Sequence, residues 1–326
     1  MYFPAPGQSK LMPMPALSQL LCLLALLISA APSFAATATT CGDRERLAVQ
    51  VLGSGGPIAD DGRASSAYLV WVDGAARALI DAGGGAFLRF GQAGARFEDL
   101  DFIGLSHYHT DHSADLPALL KSGYFSQRTR PLAVAGPGPG GPFPGLDGFL
   151  QGMLDPERGA YGYLSGYLDG SGGLVKLAPA EVPAGSGETP GLAGPMLQRF
   201  RVDALPVPHG IVPAIAFRLT LGNTVLIFAG DQNGGDPAFA EFARQADLLV
   251  MHMAIPQGAG GAALKLHATP ETVGRVAQAA GARKLLLSHF MARSLRELEA
   301  NLARVRQHYP GPVEVAGDLA CVVPAG

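Results

Sequence analysis

The sequence predicts an α/β fold. Apolar runs of strand length, bounded by Gly, Asp and Ser, recur along the chain, and four longer segments carry apolar residues at helical spacing. A hydrophobic fraction of 48% supplies a sizeable core. The 326 residues carry 24 basic and 27 acidic side chains, for a formal net charge of -3, with 44 glycines and 26 prolines. Gly and Pro together stay below the roughly 25–30% that marks low-complexity chains, so wholesale disorder is excluded. A mildly acidic chain without a long basic block predicts no nucleic-acid partner held mainly through charge. Three cysteines exclude a disulfide-dense miniature fold and a Cys-rich zinc ribbon.

Taken in order, residues 1–35 read as a cleaved signal peptide. Lys10 precedes the apolar stretch 16–31, and Ser33 and Ala35 supply a small-residue cleavage site. The stretch falls short of the roughly 20 residues that span a bilayer. Cleavage therefore leaves no stable membrane anchor and places the protein in the periplasm or outside the cell. Residues 36–326 then form a single domain. Its two cysteines, Cys41 and Cys321, lie near the ends of that domain and are open to pairing in an oxidising compartment.

Strands are expected at 47–52, 67–72, 77–81 and 102–105, the last ending at a cluster of histidines. Two more, 215–220 and 224–229, flank a Gly222-Asn223 hairpin turn. Further strands follow at 247–251 and 284–288, with a closing pair at 312–316 and 319–323. Helical patterns cover 113–121, 236–246, 270–281 and 294–308. The third has Thr269 at the N-cap and Pro270 at the first helical position. In the fourth, Leu295, Leu298, Leu302 and Val305 share a core-facing side. Residues 131–200, rich in Gly and Pro and carrying Tyr161, Tyr163 and Tyr167, read as an insertion with short elements.

Three of only eight histidines fall in His107-Tyr108-His109-Thr110-Asp111-His112. After a strand, alternate side chains point the same way, so His107 and His109 can approach one ion. Asp111 and His112, in the turn that begins the next helix, can reach a second. Imidazole and carboxylate suit Zn²⁺, with Mn²⁺ or Fe as alternatives.

SHYHTDH resembles the signature of the metallo-β-lactamase superfamily, whose fold is a four-layer αββα sandwich with one or two metals at the strand ends. LGSGGP, RASSAYLV, LIDAGGG, PHGIVPAIAFR, FAGDQ and LLLSHF extend the likeness to the branch of RNase Z and its phosphodiesterase and arylsulfatase-like relatives. The resemblance implies His107, His109 and His209 on one metal, Asp111, His112 and His289 on the second, and Asp231 bridging two Zn²⁺. Asp81, ending a strand before three glycines, is read as orienting a ligand histidine, a turn cap being the alternative. His267 in LKLHATPE takes the place of a non-ligand histidine that assists the leaving oxygen. Asp111 and His267 are thus the catalytic candidates. His252 stands where that branch has another pocket histidine, but the Glu expected after it is Met253.

The activity implied is zinc-dependent hydrolysis of a small anionic ester by a metal-bridging hydroxide, phosphodiesters first. Arylsulfatase and then lactonase or β-lactamase activity are the alternatives, with a non-catalytic metal-binding protein as the reading from another class. Processing of tRNA is disfavoured for three reasons, the first being that an exported enzyme would not meet tRNA. Only 21 residues separate His209 from Asp231, where RNase Z inserts its tRNA-gripping arm, and residues 131–200 hold three basic side chains against six acidic. The expected partner is a small-molecule ester, with no nucleic acid; a homodimer is left open.

Overall fold

The computed structural model describes residues 41–44, 46–185, 192 and 199–326. The signal expected at 1–35 lies outside the described residues. No helix among the described residues is long and apolar enough to cross a membrane.

Among the described residues, thirteen strands form two sheets. The first holds β1 (Leu47–Gly53), β2 (Ala67–Val72), β3 (Ala75–Ile80), β4 (Phe102–Gly104), β5 (Leu132–Pro137), β6 (Leu177–Val182) and β13 (Cys321–Val322), in the order β13-β1-β2-β3-β4-β5-β6. The second holds β7 (Arg201–Val207), β8 (Ala214–Leu221), β9 (Thr224–Phe228), β10 (Leu248–His252), β11 (Leu285–Ser288) and β12 (Val313–Val315), in the order β12-β11-β10-β9-β8-β7.

The period of two decides which layer each side chain enters. In β2, Tyr68 and Val70 join the core between the sheets, while Leu69 and Trp71 join the core under the outer helices. All four are buried, so the strand is apolar on both faces, as a sheet covered on both sides requires. Between the sheets Phe102 of β4 meets Phe217 of β8 edge-on at 5.8 Å, and Tyr68 meets Phe228 of β9 at 5.7 Å. Helices Ala86–Gln92, Leu116–Tyr124 and Leu146–Leu154 bury Phe90, Leu119 and Leu150 in the outer core of the first sheet. Helices Pro270–Ala279 and Leu298–His308 bury Val273, Leu302 and Val305 in the core that the second sheet shares. Thr269 caps the former, its hydroxyl accepting from the Thr272 amide.

β3, β4 and β5 run parallel, as do β9, β10, β11 and β12. Their carboxyl ends are where an α/β fold leaves backbone groups and side chains free to meet a ligand.

Several expectations are corrected. Residues 131–200 are not wholly an insertion, because β5 and β6 within them extend the first sheet. Ala, Gly and Pro hide these strands from a propensity reading, and Pro179 is tolerated because β6 is an edge strand. β7, with Pro206 near its end, is missed for the same reason and is the other sheet's edge. The last two strands do not pair: β12 lies against β11 and β13 against β1. Between them Asp318 pins the chain, its carboxylate accepting from the Ser54 amide and hydroxyl and the Ala64 amide. The helix expected at 294–308 breaks into Ala292–Leu295 and Leu298–His308. Tyr167 is buried and donates to the Leu120 carbonyl at 2.7 Å, whereas Tyr161 and Tyr163 are exposed. Cys41 and Cys321 are joined by a disulfide, 280 residues apart in sequence.

Candidate metal centre

Each end of a parallel strand delivers one part of the site. After β3 the chain turns at Asp81, whose backbone adopts φ 60°, an uncommon conformation for a residue with a side chain. Its amide donates to the Gly104 carbonyl at 2.7 Å. Its carboxylate accepts from the Ser106 amide (2.7 Å) and hydroxyl (2.9 Å) and lies 2.8 Å from His112 Nδ1. Only glycine fits two residues on: a Cβ at Gly83 would stand 2.2 Å from the Asp111 carbonyl oxygen. After β4 the chain bends at Ser106, and from an extended His109 it enters the helix Thr110–Ser113, so one short segment presents His107, His109, Asp111 and His112. β9 leads to Asp231 and β11 to His289, which has φ 55°. His209 follows β7, and its Nδ1–H donates to the Leu266 carbonyl at 2.8 Å.

Asp231 stands at the centre. Its Oδ2 lies 3.7 Å from His209 Nε2, 4.0 Å from His107 Nε2 and 3.7 Å from His267 Nδ1. Its Oδ1 lies 3.5 Å from His112 Nε2 and 3.3 Å from His289 Nε2, and faces His252 Nδ1 in a close hydrogen bond. His107 Nε2 and His109 Nδ1 are 3.0 Å apart. Asp111 Oδ2 lies 3.1 Å from His289 Nε2 and 3.4 Å from His112 Nε2. The nitrogens of His107, His109 and His209 lie within 4.8 Å of one another and could hold one ion. The same holds for His112, Asp231, His252 and His289, and for His209, Asp231 and His267.

The candidate ligands His107, His109, Asp111, His112, His209, Asp231 and His289 are thus brought together here with Asp81, His252 and His267, whereas the cysteines lie elsewhere. His252 lies inside the second group, stacked on His289 at 4.5 Å, while Asp111 borders that group. Sequence reasoning missed Ser106, which donates to Asp81 and approaches His107 Nδ1 (3.2 Å) and His112 Nδ1 (3.3 Å). Its place directly before His107 was the available signal. The Leu266 carbonyl that orients His209 leaves no trace in residue type.

The donor set fits a cation. With Nδ1 of His112 on Asp81 and Nδ1 of His209 on a carbonyl, both Nε2 atoms turn toward Asp231, and among the described residues neither has a hydrogen-bond partner; nor has His267 Nδ1. Buried imidazole nitrogens without partners cost free energy unless something accepts their lone pairs. Burial pushes His107, His209, His252 and His267 down, His252 to about 4 with the help of His289, and His267 to about 3. Burial opposes charge on His112 too, but Asp81, Asp231 and Asp111 hold it well above the ordinary imidazole range. Burial likewise opposes ionisation of Asp111 and Asp231. His112 beside the first, and His289 and His112 beside the second, keep both carboxyls well below the usual range. A cleft of about 650 Å³ opens over this centre, lined by Pro57, Ile58, His109, Asp111, His209, Asp231, Ala262, Leu266, His267, Met291 and Arg293, among others.

The family model of the metallo-beta-lactamase superfamily matches residues 60–266. Ribonuclease Z of Mycobacterium sp. (strain KMS) is 30% identical over 300 residues, covering 85% of this chain and 99% of that protein. Ribonuclease Z of Haloferax volcanii is 28% identical over 305 residues, covering 82% and 92%. Among solved structures, human tRNase Z, short form, superposes with a TM-score of 0.65 at 19% identity, covering 85% of this chain and 99% of that one. The metallo-beta-lactamase fold protein YhfI from Bacillus subtilis gives 0.64 at 22%, covering 84% and 98%. The two structural likenesses bear on the fold, which is the αββα sandwich expected.

These relatives overturn one expectation. The exclusion of nucleic acid does not stand, because proteins named ribonuclease Z match this chain over nearly their whole length. Net charge describes the long-range field of a protein; what a cation-holding centre grips is decided locally.

Two outcomes follow from the geometry. Asp81→Asn leaves His112 without its carboxylate partner and is expected to weaken metal affinity about 10–100-fold, measured by competition with a chromogenic chelator. The second concerns pH. In the metal-free protein the depressed histidines stay neutral while their unfolded counterparts protonate near 6.5, so the unfolded state binds more protons between about 6.5 and 4. His112 acts oppositely: its stabilisation is complete below 6.5 and is lost only as pH rises through its elevated pKa. With four histidines lowered and one raised, the Tm of chelator-treated protein should fall steadily from pH 7 to 4.5. A Tm that rises over that range would contradict this balance.

Proposed function

Because this chain belongs to the metallo-beta-lactamase superfamily, it is a metal-dependent hydrolase, and we propose that the bond it cleaves is a phosphodiester, with RNA among its substrates. The observation that carries this reading is Asp231 standing between two sets of imidazoles, one toward each carboxylate oxygen. His107, His109 and His209 would hold one divalent cation, and His112 and His289 a second, with Asp111 or His252 completing it and Asp231 shared. When bound, such a pair supplies Lewis acidity toward a phosphoryl oxygen and an activated water. The ribonuclease Z relatives support the same class of bond.

The chain's own residues do the rest. Asp81 and the Leu266 carbonyl fix the tautomers of His112 and His209. His267 borders the cleft, 3.7 Å from Asp231 Oδ2. With its pKa near 3 before any cation binds, it is neutral at pH 7 and acts through an N–H that donates to the departing oxygen, not as a cationic acid. The apolar wall of Pro57, Ile58, Ala262, Leu266 and Met291 excludes water beside the cut bond. Zn²⁺ suits the donor set, and export fits the same picture. The apolar stretch 16–31 followed by Ser33 and Ala35 supports export, as does the Cys41–Cys321 disulfide.

The test is turnover of bis-p-nitrophenyl phosphate and of a single-stranded RNA. Chelator should abolish both and added Zn²⁺ restore them, and His107→Ala should cost about 10²–10³-fold or more. Faster turnover of p-nitrophenyl sulfate or nitrocefin would move the assignment to a sulfate ester or an acyl bond. No turnover of any ester would leave a metal-binding protein without catalysis.

A further inference from the structure

One charged group on the wall of the cleft belongs neither to the ligand sets nor to the scaffold. Arg293 lies on the short helix Ala292–Leu295, four residues past His289, and is half-buried. Its Nε donates to the Ala254 carbonyl at 3.2 Å, in the loop after β10, so the root of the guanidinium is held. Among the described residues no carboxylate stands within 4.0 Å of it, and no acceptor meets its two terminal nitrogens. Asp60, the acid nearby in this loop cluster, accepts from the Ala292 amide instead. Other arginines around this end are spent: Arg63 donates to Ser54 Oγ and the Ala316 carbonyl, and Arg89 pairs with Asp318. The wall beside Arg293 is apolar, with Ile58, Ala263 and Met291.

A guanidinium fork anchored at one nitrogen, open at two, and set in an apolar wall is a receptor for an oxyanion. It shares the cleft with Asp231 and His209, yet as a cation without a free lone pair it cannot join them as a metal ligand. We propose that Arg293 binds a second anionic group of the substrate, beside the bond that is cut. The substrate class is then a phosphodiester carrying a further phosphate, as each nucleotide of an oligonucleotide does. This rests on the phosphodiester reading above and narrows it.

The experiment compares thymidine 5′-(p-nitrophenyl phosphate) with the same compound phosphorylated at its 3′ oxygen. In both, water adds to phosphorus and p-nitrophenolate leaves, so the readout is identical and only the extra phosphate differs. The native enzyme should prefer the phosphorylated compound about tenfold or more in kcat/KM, mainly through KM. Arg293→Gln should bring that ratio toward one, and Arg293→Lys should keep part of it. No preference in the native enzyme, or a preference that survives Arg293→Gln, overturns the assignment. If neither compound is cleaved, the phosphodiester reading is what falls. Calorimetry with thymidine 3′,5′-bisphosphate then decides Arg293 separately: binding weakened about tenfold by Arg293→Gln supports it, and equal binding overturns it.

Discussion

The cost of burying Asp231 organises this end of the molecule. The carboxylate is 2% exposed, yet six imidazoles, those of His107, His112, His209, His252, His267 and His289, reach within 4.0 Å of its two oxygens. An ionised carboxylate so enclosed is tolerable only if positive charge or donors surround it. Neutral imidazoles offer lone pairs as readily as protons, and three of the nitrogens facing it have no hydrogen-bond partner among the described residues. A divalent cation on each side would resolve both problems at once, neutralising the carboxylate and accepting the lone pairs.

The remaining architecture serves that arrangement. Parallel strands end together, so β3, β4, β9, β10 and β11 each release a side chain at the same edge of the sandwich. Two of those side chains, Asp81 and His289, sit on backbone with positive φ. Such conformations persist where the surroundings over-determine them. At Asp81 the surroundings are explicit: an amide bond to Gly104, three groups on the carboxylate, and Gly83 leaving room for the helix that carries Asp111. Rigid secondary structure thereby fixes the orientation of rings that must meet a ligand within tenths of an ångström.

Much of this was legible in the residues. The His-x-His-x-Asp-His spacing announces a metal segment, because a strand end followed by a helix start aims those side chains together. Strands β1, β2 and β8 to β11 declare themselves through branched and aromatic runs. His209, Asp231 and His289, single residues at the ends of apolar runs, became readable only through resemblance, since nothing local distinguishes them from structural residues. β5, β6 and β7 escaped because their Ala, Gly and Pro carry little strand propensity, β6 and β7 being edge strands besides, and the separation of β12 from β13 depends on the long-range grip of Asp318. Net charge misled most plainly. It argued against nucleic acid, whereas the groups that would meet a phosphate, the centre around Asp231 and the guanidinium of Arg293, contribute little to the sum over 326 residues.

The most direct test of the central claim is a calorimetric titration of chelator-stripped protein with Zn²⁺, checked by elemental analysis of the product. Two ions per chain are expected for the native sequence, falling to one or none in Asp231→Asn, where the shared carboxylate is lost. Fewer than one ion per chain in the native protein, or an Asp231→Asn variant that still binds two with unchanged affinity, would contradict the account of Asp231 as the carboxylate shared between two cations.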